Sequence, residues 1–236
     1  MTTQITTHHP VRSDLPGAAA GRRTPPSRRW AVAGVGAGLA GIGTIVTSSM
    51  VGAVYDQDLH GDPVLIQEAL ADQQVPMFVF HSVTALGAVL LLVFAAGLFG
   101  RLRDAAGETA APLVALLGLA GTAVVSILGS GLDTEFMLDP GNSEMVAPSS
   151  VTMYNHWIGT IPWLWTLAGV AGLATYAVAR RGGVPRWIGR TGLVLGGLTV
   201  LLGISPFEYM AGMTGVLLVL VTAVGFTVGD RAHRAA

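Results

Sequence analysis

The chain has 236 residues, 51% of them hydrophobic and only 11% charged, about half the charged share of a soluble domain. That balance excludes an ordinary water-soluble fold. The absence of cysteine excludes disulfide staples, thiol catalysis, iron–sulfur ligation and thiolate zinc sites, and the absence of lysine excludes Schiff-base chemistry. The formal net charge of −1 masks a separation of thirteen arginines from most of the fourteen acids.

Residues 1–29 are rich in Thr, Pro, Arg and His and lack apolar periodicity, which predicts a disordered cytoplasmic tail ahead of a transmembrane domain at 30–231. A cleaved signal peptide is not expected, because the first apolar run is too long for one. Six apolar runs follow, at 30–54, 77–100, 112–132, 157–179, 189–205 and 209–229. Their lengths match a hydrocarbon layer ~30 Å thick at helical rise. They are continuous and lack the alternation of lipid-facing strands, so an all-α bundle is predicted and not a barrel.

The arginines set the orientation. Arg12, Arg22, Arg23, Arg28 and Arg29 lie before or at the first run, and Arg101 and Arg103 follow the second. Arg180, Arg181, Arg186 and Arg190 lie around the junction of the fourth and fifth, and Arg231 and Arg234 follow the sixth. The connections 55–76, 133–156 and 205–208 hold no basic residue, whereas ten of the fourteen acids fall on that side. The positive-inside rule then predicts six transmembrane helices with both termini cytoplasmic. Arginine to the exclusion of lysine, with abundant Ala, Gly and Val, fits GC-rich coding and a bacterial plasma membrane.

Within this frame, span 1 carries a GxxxG pair, Gly34 and Gly38, and a small-residue stripe through Ala33, Ala37 and Gly41. The fifth span carries Gly192 and Gly196. Such stripes let helix backbones approach in lipid, either within one bundle or in a homo-oligomer through the first and fifth helices. In the first outer connection, Asp62 reads as an N-cap with Pro63 at the first helical position, predicting a short helix over 63–74 that Pro76 terminates. Pro162 is expected to kink span 4, where Trp163 and Trp165 serve either core packing or a cavity wall.

Sliding the chain by 77 residues aligns Ser49-Met50-Val51-Gly52 with Ser126-Ile127-Leu128-Gly129. Asp56, Asp58, Asp62 and Pro63 then align with Asp133, Glu135, Asp139 and Pro140, and His81 nearly with His156. A repeat of helical hairpins in one orientation is one reading, with units at 30–103, 111–181 and 189–231; composition bias is the other.

The repeat gathers a candidate ion or polar-ligand site at the outer mouth: Asp56, Asp58, His60, Asp62, His81, Asp133, Glu135, Asp139, His156 and Glu208. Carboxylates with neutral imidazoles are the ligand set of divalent cations; the bland alternative is solvated loop charge. Bis-histidine haem ligation by His81 and His156 is disfavoured, because both lie near the water boundary. No acid or base sits deep inside the six runs, which disfavours a proton relay. No recognised catalytic fingerprint is present, and the few dispersed arginines argue against nucleic-acid partners.

The basic inner loops, the outer segment after Tyr55, and the stretches Asn155-His156-Trp157 and Ser205-Pro206-Phe207-Glu208-Tyr209 resemble the six-span actinobacterial membrane proteins of the DUF4386-like group. The resemblance implies a plan over about residues 30–230 and carries no catalytic residues with it. Three roles stay open: an accessory protein whose acidic outer face binds an ion, ligand or partner; a small-solute or lipid transporter; and a metal-assisted enzyme at the outer face.

Overall fold

The computed structural model describes residues 28–138, 140, 141, 144 and 146–230. Residues 1–27, Asp139, Arg231 and Arg234 lie outside the described residues, as do the expectations attached to them. Eight α-helices occur in the described part: α1 (Arg29–Ser48), α2 (Pro63–Ala71), α3 (Gln74–Ala106), α4 (Ala111–Phe136), α5 (Pro148–Thr160), α6 (Thr166–Ala179), α7 (Arg186–Gly203) and α8 (Met210–Val228). The protein is an all-α, polytopic membrane-helix bundle. Five stretches are long and apolar enough to cross a bilayer, namely α1, α3, α4, the α5–α6 stretch and α8. The 18-residue α7 opens on Arg186 and Arg190, which lower its hydropathy.

Six helices close a ring. α1 packs on α3, α3 on α4, α4 on α6, α6 on α7, α7 on α8, and α8 returns to α1. Lipid gives helices no hydrophobic reason to associate, so the ring depends on close backbone approach at small residues. A Cβ placed on Gly38 would lie 2.7 Å from the Cβ of Leu220 in α8, and one on Gly169 would lie 2.8 Å from the Gly196 carbonyl oxygen in α7. The small-residue faces of α1 and α7, read from the sequence as possible oligomer contacts, are therefore covered within the chain.

Two apolar cores result. One fills the ring and includes Phe94, Leu98, Leu119, Trp165, Val219 and Phe226. The second includes Val51, Ile66, Leu70, Met77, Phe80 and Tyr154. It exists because α3, with 33 residues, runs about 50 Å at 1.5 Å per residue, well beyond the ~30 Å hydrocarbon layer. The surplus of α3 and α4, together with α2 and α5, forms a cap.

Opposite the cap is the arginine end. Arg28 Nη1 donates to the Thr227 carbonyl at 2.6 Å. Arg101 donates to both carboxylate oxygens of Asp230, at 2.8 and 2.7 Å, and to the Gly183 carbonyl at 2.9 Å. These bonds bring together the start of α1, the C-terminal part of α3, the α6–α7 loop and the end of α8.

Three local expectations change. α4 continues past Leu132 to Phe136, so Asp133 and Glu135 are helical and not loop residues. Pro76 does not end α2, which stops at Ala71; it sits in the first turn of α3, where no intrahelical N–H is required. Pro162 breaks its helix instead of kinking it: α5 ends at Thr160, a single 3-10 turn spans Ile161–Trp163, and α6 starts at Thr166. The Trp165 indole N–H donates to the Pro162 carbonyl at 2.9 Å and satisfies an acceptor that the break exposes.

Candidate functional site

The acids expected to share one outer site separate into different environments. Asp56 is exposed and accepts the Asp58 N–H at 3.0 Å, closing a turn. Asp62 is exposed and caps α2, accepting from the N–H groups of Val64 at 2.9 Å and Leu65 at 3.2 Å. Asp58, His60, Glu135 and Glu208 are exposed. Asp133 is the one acid of this set among the described residues that is fully buried. The residues that align in the sequence repeat, Asp56 and Asp133, thus sit in a solvent-facing turn and a helix interior respectively.

Asp133 is the centre of a polar cluster joining three helices. Tyr154 of α5 donates its hydroxyl to Asp133 Oδ1 at 3.0 Å. His81 of α3 places Nδ1 at 3.4 Å from Asp133 Oδ2 and at 2.9 Å from the Ser130 carbonyl. A carbonyl can only accept, so His81 Nδ1 carries the hydrogen and Nε2 is the basic nitrogen of the neutral ring. Asp133 Oδ2 has no hydrogen-bond partner of its own among the described residues. His81 and Asp133 come together, but His156 lies elsewhere, with its ring edge-on to Tyr55 at 5.7 Å. Among the described residues, no three of His, Asp and Glu are grouped as a metal ion would need.

Neutral amides hold the cap, a role that the pattern of acids and histidines does not signal. Asn155 is fully buried; its Oδ1 accepts the Val54 N–H at 2.8 Å and its Nδ2 donates to the Val51 carbonyl at 2.8 Å. Gln73 accepts the Gly52 N–H at 3.0 Å, and Gln74 donates to the carbonyls of Met137 and Leu138, both at 2.8 Å. Gln67 faces inward beside Ile66 and Leu70. That phase was visible in the sequence, since an amide on the apolar side of a short helix must find a buried partner.

The amides fix the 49–55 segment against α5, and this arrangement leaves a cleft of about 450 Å³ at the cap end of the ring. Its walls include Ser48, Tyr55, His156, Trp163, Tyr209 and Met210. α1 supplies Ser48, whose hydroxyl donates to the Ile158 carbonyl at 3.1 Å. The helix break supplies Trp163, and the turn before α8 supplies Tyr209. Trp163 lines this cleft. Trp165 turns inward to a separate void of about 20 Å³ that also touches Thr44, Thr84 and Ser126. No family model, curated protein or solved structure matches this chain.

Proposed function

We propose that this is a six-span protein of a bacterial plasma membrane whose outer cleft binds an organic cation with an apolar body. In this reading α7 is the fifth span, and the helices form three parallel hairpins, α1–α3, α4–α6 and α7–α8. The bonds that gather Arg28 and Arg101 at one end support a cytoplasmic assignment for that end and for both termini.

The cleft is the observation that carries the ligand reading. Its volume lies within the range of small-molecule sites, which combine apolar and aromatic walls with a few polar groups. Tyr and Trp faces attract cations, most strongly where water is thinned out. Asp56 follows Tyr55 in the chain and Glu208 precedes Tyr209, so two of the aromatic walls adjoin exposed carboxylates. The outer connections contain no Lys or Arg to repel a cation.

Titration of the protein in lipid nanodiscs with tetraphenylphosphonium is expected to show saturable binding that Trp163→Leu and Tyr209→Ala weaken and Val194→Ala leaves intact. Binding that is absent, or indifferent to the cleft substitutions, refutes the site. Orientation is tested separately, since the chain has no cysteine of its own. An impermeant maleimide should label Asp58→Cys on intact cells and Arg181→Cys only after permeabilisation; the reverse pattern refutes the assignment.

A transport reading has one observation in its favour. The broken helix separates the outer cleft from the void beside Thr44 and Thr84, whose hydroxyls are 3.1 Å apart, and interrupted helices at membrane depth line substrate paths in transporters. Uptake of the same cation into sealed vesicles would favour this reading over simple binding.

A further inference from the structure

At the arginine end, a second concavity of about 170 Å³ opens between the end of α6 and the start of α7, lined by Tyr176, Ala179, Arg180, Arg186 and Arg190. Its three arginines are exposed, and no ion pair joins them to a carboxylate among the described residues. Arg101, at the same end, is by contrast paired with the Asp230 carboxylate. Arg186 and Arg190 stand one turn apart on α7, a spacing at which like charges repel. Arg180 lies over the Tyr176 ring at 5.9 Å, an aromatic contact that leaves its charge unneutralised. An anion in the concavity would relieve the repulsion among all three.

The surroundings identify the anion's source. Trp187, between the two α7 arginines, is 45% exposed, and Val194, two turns further along the same helix, is 63% exposed. The outward face of α7 is thus apolar immediately beside the charge, as at a hydrocarbon–water boundary, where indole rings also concentrate. Guanidinium groups present forked donors that match phosphate oxygens. The geometry points to a binding site for the phosphate headgroup of an anionic phospholipid, held by Arg180, Arg186 and Arg190, with its acyl chains along α7. Basic concavities between helices on the cytoplasmic side are suited to such headgroups. The site is remote from the outer cleft and does not depend on what binds there.

Delipidated protein in neutral detergent is titrated with phosphatidylglycerol, phosphatidylcholine and inorganic phosphate in separate arms, and bound species are counted by native mass spectrometry. One phosphatidylglycerol should bind in preference to phosphatidylcholine. At about fivefold per arginine, Arg186→Gln/Arg190→Gln should weaken it about 25-fold, whereas Arg181→Gln, outside the concavity, should change it by less than about fivefold. Circular dichroism and the melting temperature of each variant confirm folding, which substitutions at these exposed positions should preserve. Equal binding of the two lipids overturns the proposal. So does an equal loss in Arg181→Gln, which would show a diffuse field, and so does displacement of the lipid by inorganic phosphate at matched concentration, which would make free phosphate the ligand.

Discussion

Asn155→Ala should release the wall of the outer cleft without dissolving the bundle. The Asn155 side chain is the partner of the Val54 N–H and the Val51 carbonyl. These belong to residues that are 7% and 0% exposed, so water does not readily replace the amide. An orphaned buried backbone group costs about 1–3 kcal/mol, giving about 2–6 kcal/mol for the pair. The segment retains its bond from Gly52 to Gln73, and the ring packs through other helices, so local opening relieves the strain more readily than global unfolding. Even about 2 kcal/mol corresponds to about 30-fold faster amide exchange across residues 49–55. Hydrogen–deuterium exchange in nanodiscs measures this directly. Val151→Ala is the control, because Val151 is also fully buried on α5 but its side chain makes no polar bond to the segment. Unchanged exchange in 49–55, or the same acceleration in both variants, would refute the argument that the amide clamps this wall.

Tyr154→Phe removes the hydroxyl donor of the buried Asp133 carboxylate. It should lower unfolding stability by about 1.5–3 kcal/mol in denaturant titration; a neutral outcome would mean that water or His81 replaces the hydroxyl. Gly192→Leu drives a side chain into the Gly172 carbonyl of α6 and should cost about 1–3 kcal/mol or more. Gly197→Ala, whose new Cβ would find only the Leu173 side chain at 3.8 Å, should be tolerated in the same thermal assay. Arg101→Gln leaves Asp230 buried without its bidentate partner and should cost about 3–5 kcal/mol. Arg101→Met/Asp230→Leu should recover most of that loss, and failure to do so would show that the loop bond to Gly183 matters more than the ion pair.

The helices were readable because their signals are local. Asp62 before Pro63 carries its capping geometry in two adjacent residues, and Pro162, far from a helix start, disturbs its helix, though by a break and not a kink. The end of α4 was misread for an equally local reason. An acid directly after an apolar run looks like the start of a loop, and only His81 and Tyr154, distant in the chain, show why Asp133 can remain helical and buried. The outer cleft takes its walls from residues near 48–55, 156–163 and 209–210. No window of sequence contains that constellation. Trp163 and Trp165, two positions apart in the sequence, illustrate the difficulty: the irregular backbone of the break sends one to the cleft and the other to the interior. The amides were passed over because Asn and Gln in an outer connection look solvated until their carbonyl and N–H partners are known.

The ring is taller on one flank than on the other. α7 and α8 have 18 and 19 residues, or about 27 and 28 Å at helical rise, beside the much longer α3. A bilayer meeting the short flank would be slightly mismatched there, and its leaflet on the cap side would thin or dip at a modest elastic cost. Tyr209 and Met210 stand at the top of that flank. Displaced headgroups would therefore reach the level of the cleft mouth, giving an amphiphile dissolved in the leaflet a lateral entrance that bypasses the aqueous phase.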